Sequence, residues 1–217
     1  MMNLEFAQRG DTLKVLCLGA HSDDIEIGCG GTVMKLIKGH KRVAFDWVVL
    51  SADERRKKEA EACAAVFLAG AVRRKVVVKK FRDGFFPYIG GEIKEYFEEL
   101  KRAIDPDLIL THCRQDLHQD HRLVSELTWN TFRDHVILEY EILKYDGDLG
   151  APNAFVHLDE AVCAAKIENI LKQFKSQTGN RWFTEDAFRA LMRLRGIESN
   201  APTGYAEGFY GRKLVLG

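Results

Sequence analysis

The sequence predicts an α/β fold in which helices cover a mostly parallel sheet. Two observations carry this expectation. Short apolar, β-branched runs alternate with segments of helical apolar spacing through the first two-thirds of the chain, the pattern of repeated βα units. Two of these runs also end in clusters of His and Asp, and in such sheets ligands bind at the carboxyl ends of strands. With 217 residues the chain is long enough for one large domain with a full core, and no repeat, low-complexity tract or flexible linker divides it.

The first unit is Leu13–Thr32, LKVLCLGAHSDDIEIGCGGT. Val15, Leu16 and Leu18 predict a buried strand. The chain then breaks at Gly19 into a polar turn carrying His21, Asp23 and Asp24, and passes Gly28, Gly30 and Gly31 before a helix over Thr32–His40. Val43–Ser51 is β-branched and aromatic and predicts the second strand. Asp53 can cap a helix running to Ala69, which Gly70 closes. Val72–Phe81 predicts the third strand, and Asp83-Gly84 a turn. Phe85, Phe86 and Tyr88 after that turn either line a pocket or pack beneath a loop.

Ile93, Tyr96, Phe97, Leu100 and Ile104 form one apolar stripe of a further helix. Leu108–Thr111 is a short buried strand, followed at once by HCRQDLHQDHR, a helix over His121–Arg133 and a strand over Val136–Tyr145. The last third changes character. A loop, Asp146–Asn153, leads to an amphipathic helix over Ala161–Phe174 and another over Thr184–Leu194. Gly204–Val215 supplies a final strand or wall, so residues 1–217 read as one domain with a C-terminal elaboration.

Composition narrows the function. Lys and Arg total 32 and Asp and Glu 32, so no bulk charge favours nucleic acid. No apolar run approaches the roughly 20 residues of a membrane span, and MMNLEFAQRGD lacks a signal-peptide pattern. Cys17, Cys29, Cys63, Cys113 and Cys163 are dispersed, without a CxxC pair, which reads as reduced thiols in a cytoplasmic protein. Arg73, Arg74, Lys75, Lys79 and Lys80 read as a charged surface, and His40, His135 and His157 as ordinary histidines.

The turn at His21-Ser22-Asp23-Asp24 admits three readings. The carboxylates can cap a helix or solvate a turn. Glycines after a strand suggest a dinucleotide loop, but position 33 is Val where GxGxxG needs Gly, and two carboxylates would repel a pyrophosphate. His and Asp together suit a metal ion. The second cluster supports the metal. His118 and His121 stand three apart at a helix start, and strand ends of a parallel sheet meet along one edge, so His21, Asp24 and His121 can converge. Two His and one carboxylate leave positions open for water and substrate, as in catalytic zinc sites. The same set describes a facial-triad iron site, against which the βα alternation argues.

AHSDDIEIGCGG resembles the AHPDD…GG signature of the PIG-L/LmbE family of zinc-dependent N-deacetylases, and DLHQDHR resembles that family's HxDH followed by Arg. Weaker matches follow in order: Arg56-x-x-Glu59, Asp83-Gly84, Phe174…Ser176-Gln177, Arg195-Gly196 and Tyr205-Ala206-Glu207. Ser22 replaces the family's usual proline without removing a ligand.

The resemblance implies a Rossmann-like three-layer sandwich that removes an acetyl group from an N-acetylated amino sugar, an N-acetylglucosaminyl conjugate. It implies His21, Asp24 and His121 as ligands of one Zn2+ per chain, with Fe2+ or another divalent ion as the alternative. Asp23 becomes the general base. His118 becomes a partner in acid catalysis or oxyanion stabilisation, with Asp120 orienting its ring and favouring its charged form. His112 is expected to support the second cluster. Arg56 and Tyr205 are candidate substrate contacts, whose plain alternatives are an ion pair with Glu59 or another carboxylate and a buried structural tyrosine. The expected partner is a small amino-sugar molecule, with no nucleic acid and no membrane span, and a homo-oligomer stays open. A zinc amidase for another amide, or a metal-dependent sugar-binding protein without turnover, are the alternatives; neither a spare base nor an acid is needed for binding alone.

Overall fold

The computed structural model describes residues 11–215, so MMNLEFAQRG lies outside the described residues. Seven strands form one sheet: β1 (Leu13–Gly19), β2 (Val43–Val49), β3 (Arg73–Val78), β4 (Leu108–His112), β5 (Val136–Tyr140), β6 (Ala154–Leu158) and β7 (Tyr205–Gly211). Their spatial order is β3-β2-β1-β4-β5-β7-β6, with the first five parallel and β7 antiparallel to both β5 and β6. Six helices flank the sheet: α1 (Asp24–Gly39), α2 (Glu54–Phe67), α3 (Gly90–Ala103), α4 (Gln119–Thr131), α5 (Glu160–Gln173) and α6 (Glu185–Glu198).

Alternation along the strands builds the three layers. In β1, Leu13, Val15 and Cys17 point into one core with α1, α2, α5 and α6, while Leu16 and Leu18 point into a second core with α3 and α4. Because both faces are covered, β2 and β4 are buried along their whole length. The order reverses between β1 and β4, since β2 lies on one side of β1 and β4 on the other. That reversal opens a crevice at the carboxyl edge, where both His/Asp clusters stand. Among the described residues no helix is long and apolar enough to cross a membrane.

The expected strands and helices are present, with four departures. The helix after β1 starts at Asp24 rather than Thr32, because the glycines lie inside it: a Cβ on Gly28 would come within 2.1 Å of the Tyr140 ring, and one on Gly30 within 2.5 Å of Phe67. The helix is broken at Cys29 (φ −144°, ψ 16°). β5 stops at Tyr140, after which Glu141 turns to Arg195 and Lys144 to Asp116. β6, at the sheet's far edge, is an additional strand in the stretch between the expected loop and helix. Phe86 is buried against the α3/α4 core, whereas Phe85 and Tyr88 are exposed. All five cysteines are buried and free.

Gly28 is therefore a packing requirement of the crevice. Gly28→Ala should cost about 1–3 kcal/mol through overpacking against Tyr140, read from the shift of the urea-unfolding midpoint. An unchanged midpoint would show that the ring moves aside freely.

Candidate metal centre and active site

The crevice is built from two strand-to-helix turns. Beyond β1 the chain stays anchored to β2 through Leu50 N–H to Gly19 O (3.0 Å) and Ser51 N–H to Ala20 O (2.8 Å), then turns sharply as Asp24 Oδ2 accepts the His21 N–H at 2.6 Å. Asp23 is the N-cap residue of α1, and Asp24 opens the helix, where negative charge is favoured. Beyond β4, Asp116 Oδ1 accepts the His118 N–H (2.8 Å), His118 caps α4, and His121 lies in its first turn.

His21, Asp24 and His121 come together. His21 Nδ1 lies 3.2 Å from His121 Nε2 and 3.4 Å from Asp24 Oδ2, and His121 Nε2 lies 3.6 Å from Asp24 Oδ1. Donors around a tetrahedral zinc at about 2.0–2.1 Å stand about 3.3–3.4 Å apart, close to the 3.2 Å between the two imidazole nitrogens, while the Asp24 distances run to its two different oxygens. The outer nitrogens are occupied by carboxylates. His121 Nδ1 meets Asp116 Oδ2 at 2.9 Å, and His21 Nε2 meets Asp83 Oδ1 at 3.1 Å and Asp120 Oδ2 at 3.3 Å. These partners keep protons on the outer nitrogens and aim both inner nitrogens at one point. Either a proton or a cation must then lie between them. Among the described residues three overlapping groups could hold a metal ion: His21 with His118 and His121, Asp24 with His112 and His121, and His21 with Asp83 and Asp120.

The electrostatics follow from burial against charge. Burial opposes ionisation of His21, but Asp24, followed by hydrogen bonds to Asp120, Asp24 and Asp83, holds its pKa well above the usual value. His121 is pushed down to about 4 by burial and then by His112. Burial raises Asp24, yet His121, His112 and His21 hold it well below the carboxylate range. Asp23 differs: burial and then the adjacent Asp24 push it up to about 6, against Arg56 and His21. Two neighbouring carboxyls are thereby separated, one fixed as an anion and one poised to take a proton.

The structure departs from the expected handling of His118. Asp120 does not hold its ring, because the Asp120 carboxylate accepts Gly84 N–H (2.7 Å) and Phe86 N–H (3.1 Å) and meets His21. It is the backbone N–H of Asp120 that donates to His118 Nδ1, at 3.2 Å. Burial, then His21, lowers the His118 pKa, outweighing the favourable charges of Asp120, Asp24 and Asp116. With Nδ1 accepting the Asp120 N–H, Nε2 is the nitrogen left to carry a proton and donate a hydrogen bond.

Arg56 reaches the crevice, with Nε donating to Ser22 Oγ at 3.1 Å, Nη1 lying 3.3 Å from Asp83 Oδ2, and Nη2 3.7 Å from Asp23 Oδ1. Its partner is not Glu59, which instead accepts the Ser176 N–H at 3.0 Å. Tyr205 is not brought to the cluster; it packs on the α1/α5 core beneath Arg189 and Arg193. His112 stacks on His121 (centroids 3.9 Å apart), with Nε2 3.1 Å from Asp24 Oδ2. Asp116 and Lys144 escaped sequence reasoning. Lys144 Nζ lies 3.0 Å from Asp116 and also pairs with Asp148. A carboxylate two residues before His118 and five before His121 was the available signal.

The family model described as PIG-L, GlcNAc-PI de-N-acetylase, matches residues 16–132. Among solved structures the chain resembles the conserved protein TT1542 from Thermus thermophilus, with 21% identity, TM-score 0.74, 94% of this chain and 97% of that one. It resembles N,N'-diacetylchitobiose deacetylase from Pyrococcus horikoshii, with 22% identity, TM-score 0.65, 92% of this chain and 83% of that one. It also resembles GalB, the 4-carboxy-2-hydroxymuconate hydratase from Pseudomonas putida KT2440, with 17% identity, TM-score 0.71, 94% of this chain and 98% of that one. At these identities the likeness shows the fold, and the fold hosts more than one reaction.

Asp116→Asn should weaken divalent-cation binding about 10–100-fold, the usual cost of losing a carboxylate behind a ligating His. Competition against a chromophoric chelator measures it, and unchanged affinity would show that Asp116 does not orient His121.

Proposed function

The chain belongs to the PIG-L, GlcNAc-PI de-N-acetylase family, whose model spans more than half of it, and on that premise we propose that it is a zinc-dependent hydrolase removing an acetyl group from an N-acetylated amino sugar. His21, Asp24 and His121 would hold the ion. The observation that carries the reading is the pair of facing imidazole nitrogens 3.2 Å apart, each backed by a carboxylate, beside a separate carboxyl, Asp23, with its pKa near 6. A divalent ion bound there lowers the pKa of its water to about 7 and polarises an amide carbonyl.

The protein's own groups supply the rest. Asp23, not needed as a ligand, takes the proton of the attacking water, and its raised pKa matches that task near neutral pH. It then passes the proton to the departing amine. The Nε2–H of His118 stabilises the negative charge that develops on the carbonyl oxygen. Asp120 acts at one remove, holding His21 and the backbone of Gly84 and Phe86 in register. Arg56 and the half-exposed Asp83 offer a charged donor and an acceptor at the crevice, suited to sugar hydroxyls. The same reading takes 1–217 as one deacetylase domain.

The likeness to GalB, a 4-carboxy-2-hydroxymuconate hydratase, suggests a second reading, addition of water to a substrate other than an amide. Acetate release from a panel of N-acetylglucosamine derivatives, with metal-stripped and zinc-restored protein side by side, separates the two. Zinc-dependent release supports the deacetylase; bound zinc without release across the panel overturns it. Asp23→Ala should retain zinc and lose about 10²–10⁴-fold in kcat. Loss of zinc in step with activity would instead make Asp23 a ligand. His121→Ala should lose metal and turnover together, and retention of both would sink the ligand assignment.

A further inference from the structure

The break in α1 is held open by a buried ion pair from the last third of the chain. In a continuous helix the N–H groups of Gly31 and Thr32 would bond to the carbonyls of Ile27 and Gly28. Here Gly31 N–H donates to Glu207 Oε1 at 2.8 Å, and Thr32 N–H and Oγ1 donate to Glu207 Oε2 at 2.7 and 2.6 Å. The Ile27 carbonyl accepts from Lys166 Nζ at 2.6 Å, and Lys166 Nζ pairs with Glu207 Oε1 at 2.7 Å. The pair is inserted into the helical ladder at the break: Glu207 from β7 supplies the acceptors, Lys166 from α5 the donor.

The close approach is built into the sequence. A Cβ on Gly31 would lie 2.9 Å from Glu207 Oε1 and 2.6 Å from Leu158. The cavity beside the pair has about 20 Å³ of space for the centre of a water, room for a single one. Both side chains are at most 3% exposed. Two apolar residues would fill this space at lower desolvation cost. What the ion pair adds is direction. The piece of α1 before the break, Asp24–Gly28, is under two turns long, is wholly buried, and carries Asp24 at its first residue with Asp23 just before it. Its axis is set at one end by the break and along its side by Gly28 against Tyr140.

We propose that Glu207, with Lys166, is a positioning residue for the metal centre: by fixing the break in α1 it aims the Asp23–Asp24 turn at His21 and His121. This inference rests on the reading of His21, Asp24 and His121 as ion ligands. The test uses the full chain, Co²⁺ as the probe, and two variants. Glu207→Gln keeps the shape and removes the charge. Thr32→Val removes one hydroxyl donor and leaves the ion pair. Circular dichroism melting reports folding, Co²⁺ titration reports affinity, the visible Co²⁺ absorption band reports coordination, and acetate release reports kcat and KM.

Folded Glu207→Gln should bind Co²⁺ about 10-fold or more weakly, with an altered band and a fall in kcat larger than any change in KM. Thr32→Val should lie between it and the parent. A folded Glu207→Gln with parental affinity, band and kcat overturns the proposal. If Glu207→Gln does not fold, Thr32→Val decides, and a parental band and affinity in that variant overturn it. Absence of Co²⁺ binding by the parent overturns the ligand reading itself, and the parent is measured before any variant.

Discussion

Two imidazoles whose ring nitrogens face each other at 3.2 Å across the point where the strand order reverses are the constraint on which the crevice depends. With their outer nitrogens backed by carboxylates, the inner pair repel unless something positive lies between. Holding them there requires β1 and β4 to be adjacent, both turns to be rigid, and Asp116, Asp83 and Asp120 to be in place. Each of these carboxylates has its own support. Asp116 takes Lys144 and a backbone N–H, Asp120 two backbone N–H groups, and Asp83 the Arg56 guanidinium. Buried charge of this density is tolerated because nearly every member is paired.

Much of this was legible in the sequence because it is local. His21, Asp23 and Asp24 follow an apolar run directly, as do His118 and His121, and a parallel sheet brings strand ends to one edge whatever the separation along the chain. What was illegible depends on contacts between distant segments. Gly28, Gly30 and Gly31 look like helix breakers, and only Tyr140, Phe67 and Leu158 pressing on them show why a helix needs glycine there. β6 is a short strand after a Gly/Pro loop, recruited by pairing with β7. His118 looked ready to be charged beside Asp120, yet burial and His21 lower its pKa, a balance no spacing rule contains.

The weak later motifs gain a common physical meaning. Glu59 accepts from the Ser176 backbone, tying α2 to the end of α5. Arg195 makes a two-pronged pair with Glu141 at 2.7 and 2.8 Å and also donates to Gly150 O, pinning the chain after β5. Gly196 leaves room for the Gly204 carbonyl, which a Cβ would approach to 2.1 Å. Glu59 and Arg195 are polar links between elements, and Gly196 makes room for a backbone carbonyl. Polar links demand a particular geometry where apolar contacts accept several.

The segment matched by the family model ends at residue 132, yet the helix that opens with Asp24 is completed by Glu207 and Lys166, which lie beyond it. The N-terminal part alone would leave the N–H groups of Gly31 and Thr32 and the carbonyl of Ile27 without these partners. A continuous helix would satisfy these groups within α1 itself. Tyr140, which flanks Gly28 and anchors to the Leu18 carbonyl at 2.6 Å, likewise lies beyond residue 132. The C-terminal strands and helices therefore close the sheet and also supply the groups that occupy the break in the helix that opens with Asp24.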